Sequence, residues 1–123
     1  MNKDKSTEEL IALIIQSYEL IDKATDIGDY KTNNREVKKC SKWHKLIAED
    51  LKLAEEIYDL LLEHSCITVK ILSAVQCLKL NIYVGRSVEI LEKLTQRTDI
   101  GIKRFDAEMC LRVWRGEVPN RTL

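Results

Sequence analysis

Proline occurs once and glycine four times in these 123 residues. Strand-rich folds spend turn residues at every chain reversal, so this scarcity argues against them. Long apolar runs are missing too. The longest, Leu10 to Ile15, is far too short to span a bilayer. Neither sign of charge is in excess, because 20 Lys and Arg face 20 Asp and Glu. That balance argues against a bulk binder of polyanions. The opening MNKDKSTEEL carries no apolar export core, so a cytoplasmic protein without membrane contact is expected. No cysteine pair has the CxxC spacing among Cys40, Cys66, Cys77 and Cys110, and reduced thiols are expected. There is no phosphate-cradling glycine motif, no Gly-x-Ser-x-Gly, no His-Glu-x-x-His and no calcium loop. The expectation is therefore a protein with no catalytic residue, no metal and no cofactor.

What is present is helical periodicity. Apolar residues make up 45% of the chain and recur at spacings of three and four, which predicts an all-α fold. Ser6 followed by Glu9 is a capping-box pattern that opens a first helix. Leu10, Ile14, Ser17, Ile21 and Ala24 mark its inner face, and Gly28 is placed to end it in the left-handed conformation. A second helix is predicted from Tyr30 to Ala48, with Val37, Cys40, His44 and Ile47 as its apolar face. The stretch from 30 to 63 is either one helix or two, with a break favoured near residues 48–50.

Charge along the chain comes in alternating blocks: −4 over residues 1–30, +5 over 31–48, −5 over 49–63 and +4 over 64–123. In the second block Lys31, Arg35, Lys38, Lys42 and Lys45 fall on one helix face. In the third, Glu49, Glu56, Asp59 and Glu63 form an acidic stripe opposite Leu53, Ala54, Ile57, Leu60 and Leu61.

The chain also repeats itself. ITVKILSAVQCL, from Ile67, is echoed by IGIKRFDAEMCL, from Ile100. Aligned at an offset of 33, residues 56–80 and 89–113 share eight identities in 25 positions, against roughly one or two expected by chance. A repeat of this period predicts stacked helical hairpins, because one hairpin cannot bury its apolar face alone. The expected architecture is a single domain over 1–123, an armadillo- or HEAT-like array of five or six helices. N-terminal helices occupy 6–48, two repeats occupy 54–80 and 87–114, and a tail follows over 117–123. The matched Ala74 and Ala107 are expected at close helix contacts, and Gly101 and Gly116 at cap positions.

The segments STEELIALIIQSYELIDKATDIGDY and AEMCLRVWRGE, with Cys110-Leu111 followed by Trp114 and Gly116, resemble a family of small bacterial armadillo-like proteins catalogued as a domain of unknown function. The resemblance covers roughly residues 6–117. It implies the fold and no catalytic residue.

Two constellations invite chemistry. Cys40 and His44 at i and i+4, with His64 and Cys66 near a later turn, supply the residue types of a zinc site. Their coincidence with an apolar helix face, and the unusual His-x-Cys spacing, favour core packing instead. The paired Cys77 and Cys110 read as slots for a small side chain. For function, a protein-binding module is expected, with Glu49, Glu56, Asp59 and Glu63 as the contact stripe and Tyr58 and Trp114 as anchors. Its partner would be another protein, of which a bacterial toxin neutralised by an immunity protein is one form. The alternative is nucleic-acid binding through Lys31, Arg35, Lys38, Lys42 and Lys45, with Trp43 as a stacking group.

Overall fold

Six stretches of the chain satisfy their backbone hydrogen bonds locally. In a computed structural model, which describes residues 6–117, these are α1 (Thr7–Ile27), α2 (Tyr30–Ala48), α3 (Leu51–Leu61), α4 (Ile67–Leu80), α5 (Val84–Thr95) and α6 (Ile102–Trp114). Among the described residues there is no strand. The protein is an all-α helical array. The tail assigned to 117–123 lies, beyond Glu117, outside the described residues.

The helix ends follow from their caps. At α1 the Ser6 hydroxyl accepts from the Glu9 N–H at 3.1 Å, and the Glu9 carboxylate accepts from the Ser6 N–H at 3.2 Å. Two donors that the first helical turn leaves without partners are thereby satisfied. Gly28 ends α1 at φ 71°, where a side chain would be strained. One residue later Asp29 caps α2 through the Thr32 N–H.

The stretch from 30 to 63 is two helices. Asp50 breaks it in an extended conformation, and its carboxylate accepts from the Leu53 N–H at 3.2 Å. That cap starts α3 three residues earlier than the periodicity predicts. Likewise α5 begins at Val84, three residues before its predicted start at Ser87.

The chain divides into two compact units between Val69 and Lys70, within α4. In the first, α1, α2 and α3 pack on one another around Leu10, Ile14, Tyr18, Ile47, Ala54, Ile57, Tyr58 and Leu61, all buried. The start of α4 is tied to α1, where the Thr68 hydroxyl donates to the Asp22 carboxylate at 2.6 Å. In the second unit α5 and α6 form a packed hairpin, with Ser87, Leu91, Leu94, Ala107, Cys110 and Leu111 buried.

The repeat survives in the helix boundaries. α3 starts at residue 51 and α5 at residue 84, an offset of 33. Matched positions are buried together: Ala54 with Ser87, Tyr58 with Leu91, Leu61 with Leu94, Ala74 with Ala107, and Cys77 with Cys110. Both matched alanines are completely covered.

Candidate functional site

The first unit carries the two charged stripes. On α2 the buried residues are Glu36, Cys40, Trp43 and Ile47, spaced four, three and four. This face is rotated from the one expected. Val37 is exposed and His44 only half-buried, while Trp43 turns inward. The reason is that α2 buries a charged residue, which an apolar count passes over. Trp43 is therefore core and is not available to stack on a nucleic-acid base.

With that face inward, Lys31, Arg35, Lys38, Lys42 and Lys45 point to solvent, and all five are exposed. They span fourteen residue steps, about 21 Å of helix. Arg35 is held by Glu36, Nε to Oε2, at 3.1 Å. The other four make no ion pair among the described residues. Exposed acids are missing from the helix between Tyr30 and Ala48, since its one carboxylate, Glu36, is only 2% exposed.

Glu36 sits between Ser17 of α1 and the bases of its own helix. Lys39 Nζ lies 3.7 Å from Oε1. Burial opposes ionisation, but the Ser17 hydroxyl, Arg35 and Lys39 outweigh it and hold the carboxyl below its ordinary value. Eight residues further along α2, the Tyr18 hydroxyl and His44 Nε2 share a hydrogen bond of 2.6 Å, with the rings tilted at 54°. The seam between α1 and α2 is thus polar along part of its length. Among the described residues no group of three or more His, Cys, Asp or Glu side chains is arranged to hold a metal ion, so Cys40 and His44 belong to none.

The acidic stripe is also exposed at Glu49, Glu56, Asp59 and Glu63. Glu56 and Asp59 lie on α3, Glu49 caps the end of α2, and Glu63 follows α3. Glu49 and Glu56 make no ion pair among the described residues, whereas Asp59 and Glu63 are engaged. Tyr58 corrects the expectation of a surface anchor. It is 0% exposed and fills the core of the first unit, as its spacing from Ala54 and Leu61 requires. Trp114, at the end of α6, is 43% exposed.

In the second unit a groove of about 800 Å³ runs along α5 and α6, over Leu111. Its charges answer one another: Glu92 holds Arg115 at 2.7 Å, Glu89 faces Lys93 at 3.9 Å, and Glu117 faces Arg112 at 3.6 Å. Glu108, also in the lining, makes no ion pair among the described residues, so the groove carries one carboxylate more than it has bases.

The cysteines divide by burial. Cys40, Cys77 and Cys110 are buried, and burial pushes each thiol up to about 11. Thiols so protonated are poor nucleophiles. Cys66 is partly exposed, in the turn before α4, where its N–H donates to His64 Nδ1 at 3.0 Å.

No helix among the described residues is long and apolar enough to cross a membrane. Sequence reasoning missed Glu36, whose one available signal was its place in the 36–40–43–47 spacing. Compared with family models, with curated proteins and with solved structures, the chain matches none.

Proposed function

We propose that the chain is a small non-catalytic protein-binding module, a HEAT-like array that engages its partner through the charged surface of its first unit. The observation carrying this reading is that the basic stripe of α2 and the free acids Glu49 and Glu56 are both exposed and do not neutralise one another. Charge left unpaired on a folded surface steers encounter with a complementary surface. The first unit, residues 1–69, has a net charge of −4 despite its basic stripe. A long polyanion laid along α2 meets repulsion from the acids around it. A folded partner with patches of both signs does not.

The specific form of the proposal is immunity. A nuclease toxin needs cations to hold its substrate's phosphates, and Glu49 and Glu56 offer those cations an alternative partner. The test is capture of the product of the neighbouring gene on immobilised protein. With Glu49→Lys and Glu56→Lys together, binding should weaken by about tenfold or more, and added salt should weaken the unmutated complex. Binding that ignores both changes removes the acidic face from the proposal.

A second reading rests on the four lysines without ion pairs. If the protein retains RNA from its own cell, and loses it on Lys38→Glu with Lys42→Glu, α2 is a nucleic-acid surface and the protein-binding reading gives way.

A further inference from the structure

α2 presents more to solvent than its basic stripe. Tyr30 and Val37, 79% and 47% exposed, lie on its surface seven residues apart. Asn34, Ser41 and Ala48, all exposed, complete their line at spacings of four, three, four and seven. At about 100° per residue these five fall within one sector, about 120° round the helix from the buried Glu36, Cys40, Trp43 and Ile47. No charge stands on the line. The Ser41 hydroxyl is turned back onto its own helix, donating to the Val37 carbonyl at 3.1 Å.

The lysines border this line on the side away from the core. Lys45, Lys38 and Lys31 stand about 50–90° round the helix from its centre, and Lys42 and Arg35 stand further on. Lys31, Lys38 and Lys45 are exposed and make no ion pair among the described residues. An uncharged line at heptad spacing, edged by free charges of one sign, is the surface on which one helix receives another.

The charges select the occupant. Lys31, Lys38 and Lys45 recur every two turns, about 10.5 Å apart, and a helix laid beside α2 returns its own side chains to the seam at that interval. Such a helix needs carboxylates beside its apolar stripe. A second copy of α2 has none to offer, since Glu36, the one carboxylate between Tyr30 and Ala48, is buried. A nucleic acid offers phosphates to the lysines but gains nothing at Val37.

We propose that α2 takes an amphipathic helix of a partner protein. Its apolar stripe covers Tyr30 and Val37, and the Asp or Glu side chains edging that stripe meet Lys31, Lys38 and Lys45. The inference rests on the protein-binding reading and adds to it a contact distinct from the acids Glu49 and Glu56.

The probe is a labelled synthetic peptide of about four heptads, with leucine at a and d and glutamate at e and g, where like charges keep it from pairing with itself. Fluorescence anisotropy reads its binding to the whole chain. The expected result is binding that a lysine-edged peptide of the same design lacks. Lys38→Glu with Lys45→Glu should weaken it by about tenfold or more, and added salt should weaken it too. Val37→Lys separates the occupants. It takes apolar contact from the peptide and should weaken it, whereas the added cation should strengthen binding of a single-stranded RNA oligonucleotide. Helix content should be unchanged in each variant, because the replaced side chains are exposed. A glutamate-edged peptide that does not bind, or binds regardless of the lysine reversal, overturns the proposal. RNA held more tightly than the peptide at the same salt also overturns it. Glu49→Lys with Glu56→Lys should leave the peptide bound. If the peptide binds while capture of the neighbouring gene's product fails, the immunity role falls and the α2 seam stands. If capture holds while the peptide fails, only the seam falls.

Discussion

The two repeats share one buried face, differ at their ends, and part company on the other face of their second helix, where α4 buries Val69, Ile71, Ser73 and Val75 and α6 exposes Ile102, Arg104, Asp106 and Glu108. Leu61 and Leu94, Ala74 and Ala107, and Cys77 and Cys110 are buried in matched register. The helix starts are another matter. α3 has Asp50 as an extended cap that accepts from the Leu53 N–H. The matched residue of α5 is Tyr83, left-handed at φ 45° and without a side-chain cap bond. The turns inside the repeats differ similarly. Cys66 donates its N–H to His64 in one, while Arg97 grips Asp99 through two bonds of 3.0 and 2.6 Å at the same register in the other. Packing admits few substitutes, since a core responds to single methylenes. A turn can be closed by several unrelated chemistries, so repeated units differ there freely.

The sharpest test of the shared interior is Leu61→Ala beside Leu94→Ala. Each should cost about 2–5 kcal/mol in urea unfolding, the usual range for a buried leucine. A large cost at one and none at the other would break the equivalence. Next in size are Ala74→Leu and Ala107→Leu. Both alanines are fully covered, so overpacking should cost about 1–3 kcal/mol at each.

The cysteines sharpen the comparison differently. Cys66 has Asp99 as its counterpart and is partly exposed, so it should react with a thiol reagent first. Cys40, Cys77 and Cys110 should wait for the fold to open. Their thiols ionise at about 11 when folded, above the ordinary 9.0. Stability from keeping them protonated is complete below pH 9 and is lost as the pH rises towards 11. Unfolding followed from pH 8 to pH 11 should show that decline, and replacing Cys77 and Cys110 with alanine should flatten it.

The helix caps give the smallest effects, of opposite sign. Asp50→Ala should destabilise by about 1 kcal/mol. Tyr83→Asn should stabilise by up to about 1 kcal/mol, because asparagine tolerates the left-handed region better. Loss of the Tyr83 ring, whose centre lies 5.4 Å from the Arg86 guanidinium, offsets part of that gain. Thermal melts of the two variants check both signs.

These ends are also where the sequence was least legible. α1, α2 and α6 carry clear boundary signals, in Ser6 with Glu9, in Gly28 with Asp29, and in Gly101 with Gly116. The start of α5 has none, since nothing in the letters of Tyr83 announces a left-handed residue. On α2 the expected face was turned by about one residue because Glu36 is charged, and hydropathy assigns such residues to water. The charged stripes were legible as stripes, because spacing alone determines a helix face. Which of their members were already engaged was not, since Asp59 and Glu63 find partners through folding. Tyr58 was misplaced for a related reason: an aromatic at core spacing looks the same in sequence as one at an interface.

The buried carboxylate of Glu36 has a further consequence, for how α1 and α2 recognise each other during folding. Two helices with plain aliphatic faces can slide by a turn and still bury similar areas, leaving several alignments of comparable energy. Here a slip of one turn removes the Ser17 hydroxyl from Glu36 and leaves the carboxylate with only Arg35 and Lys39 of its own helix, at a cost of about 1.5–3 kcal/mol for a hydrogen bond to a charged group. The mismatched alignments are thereby emptied, and α1 and α2 keep one mutual alignment.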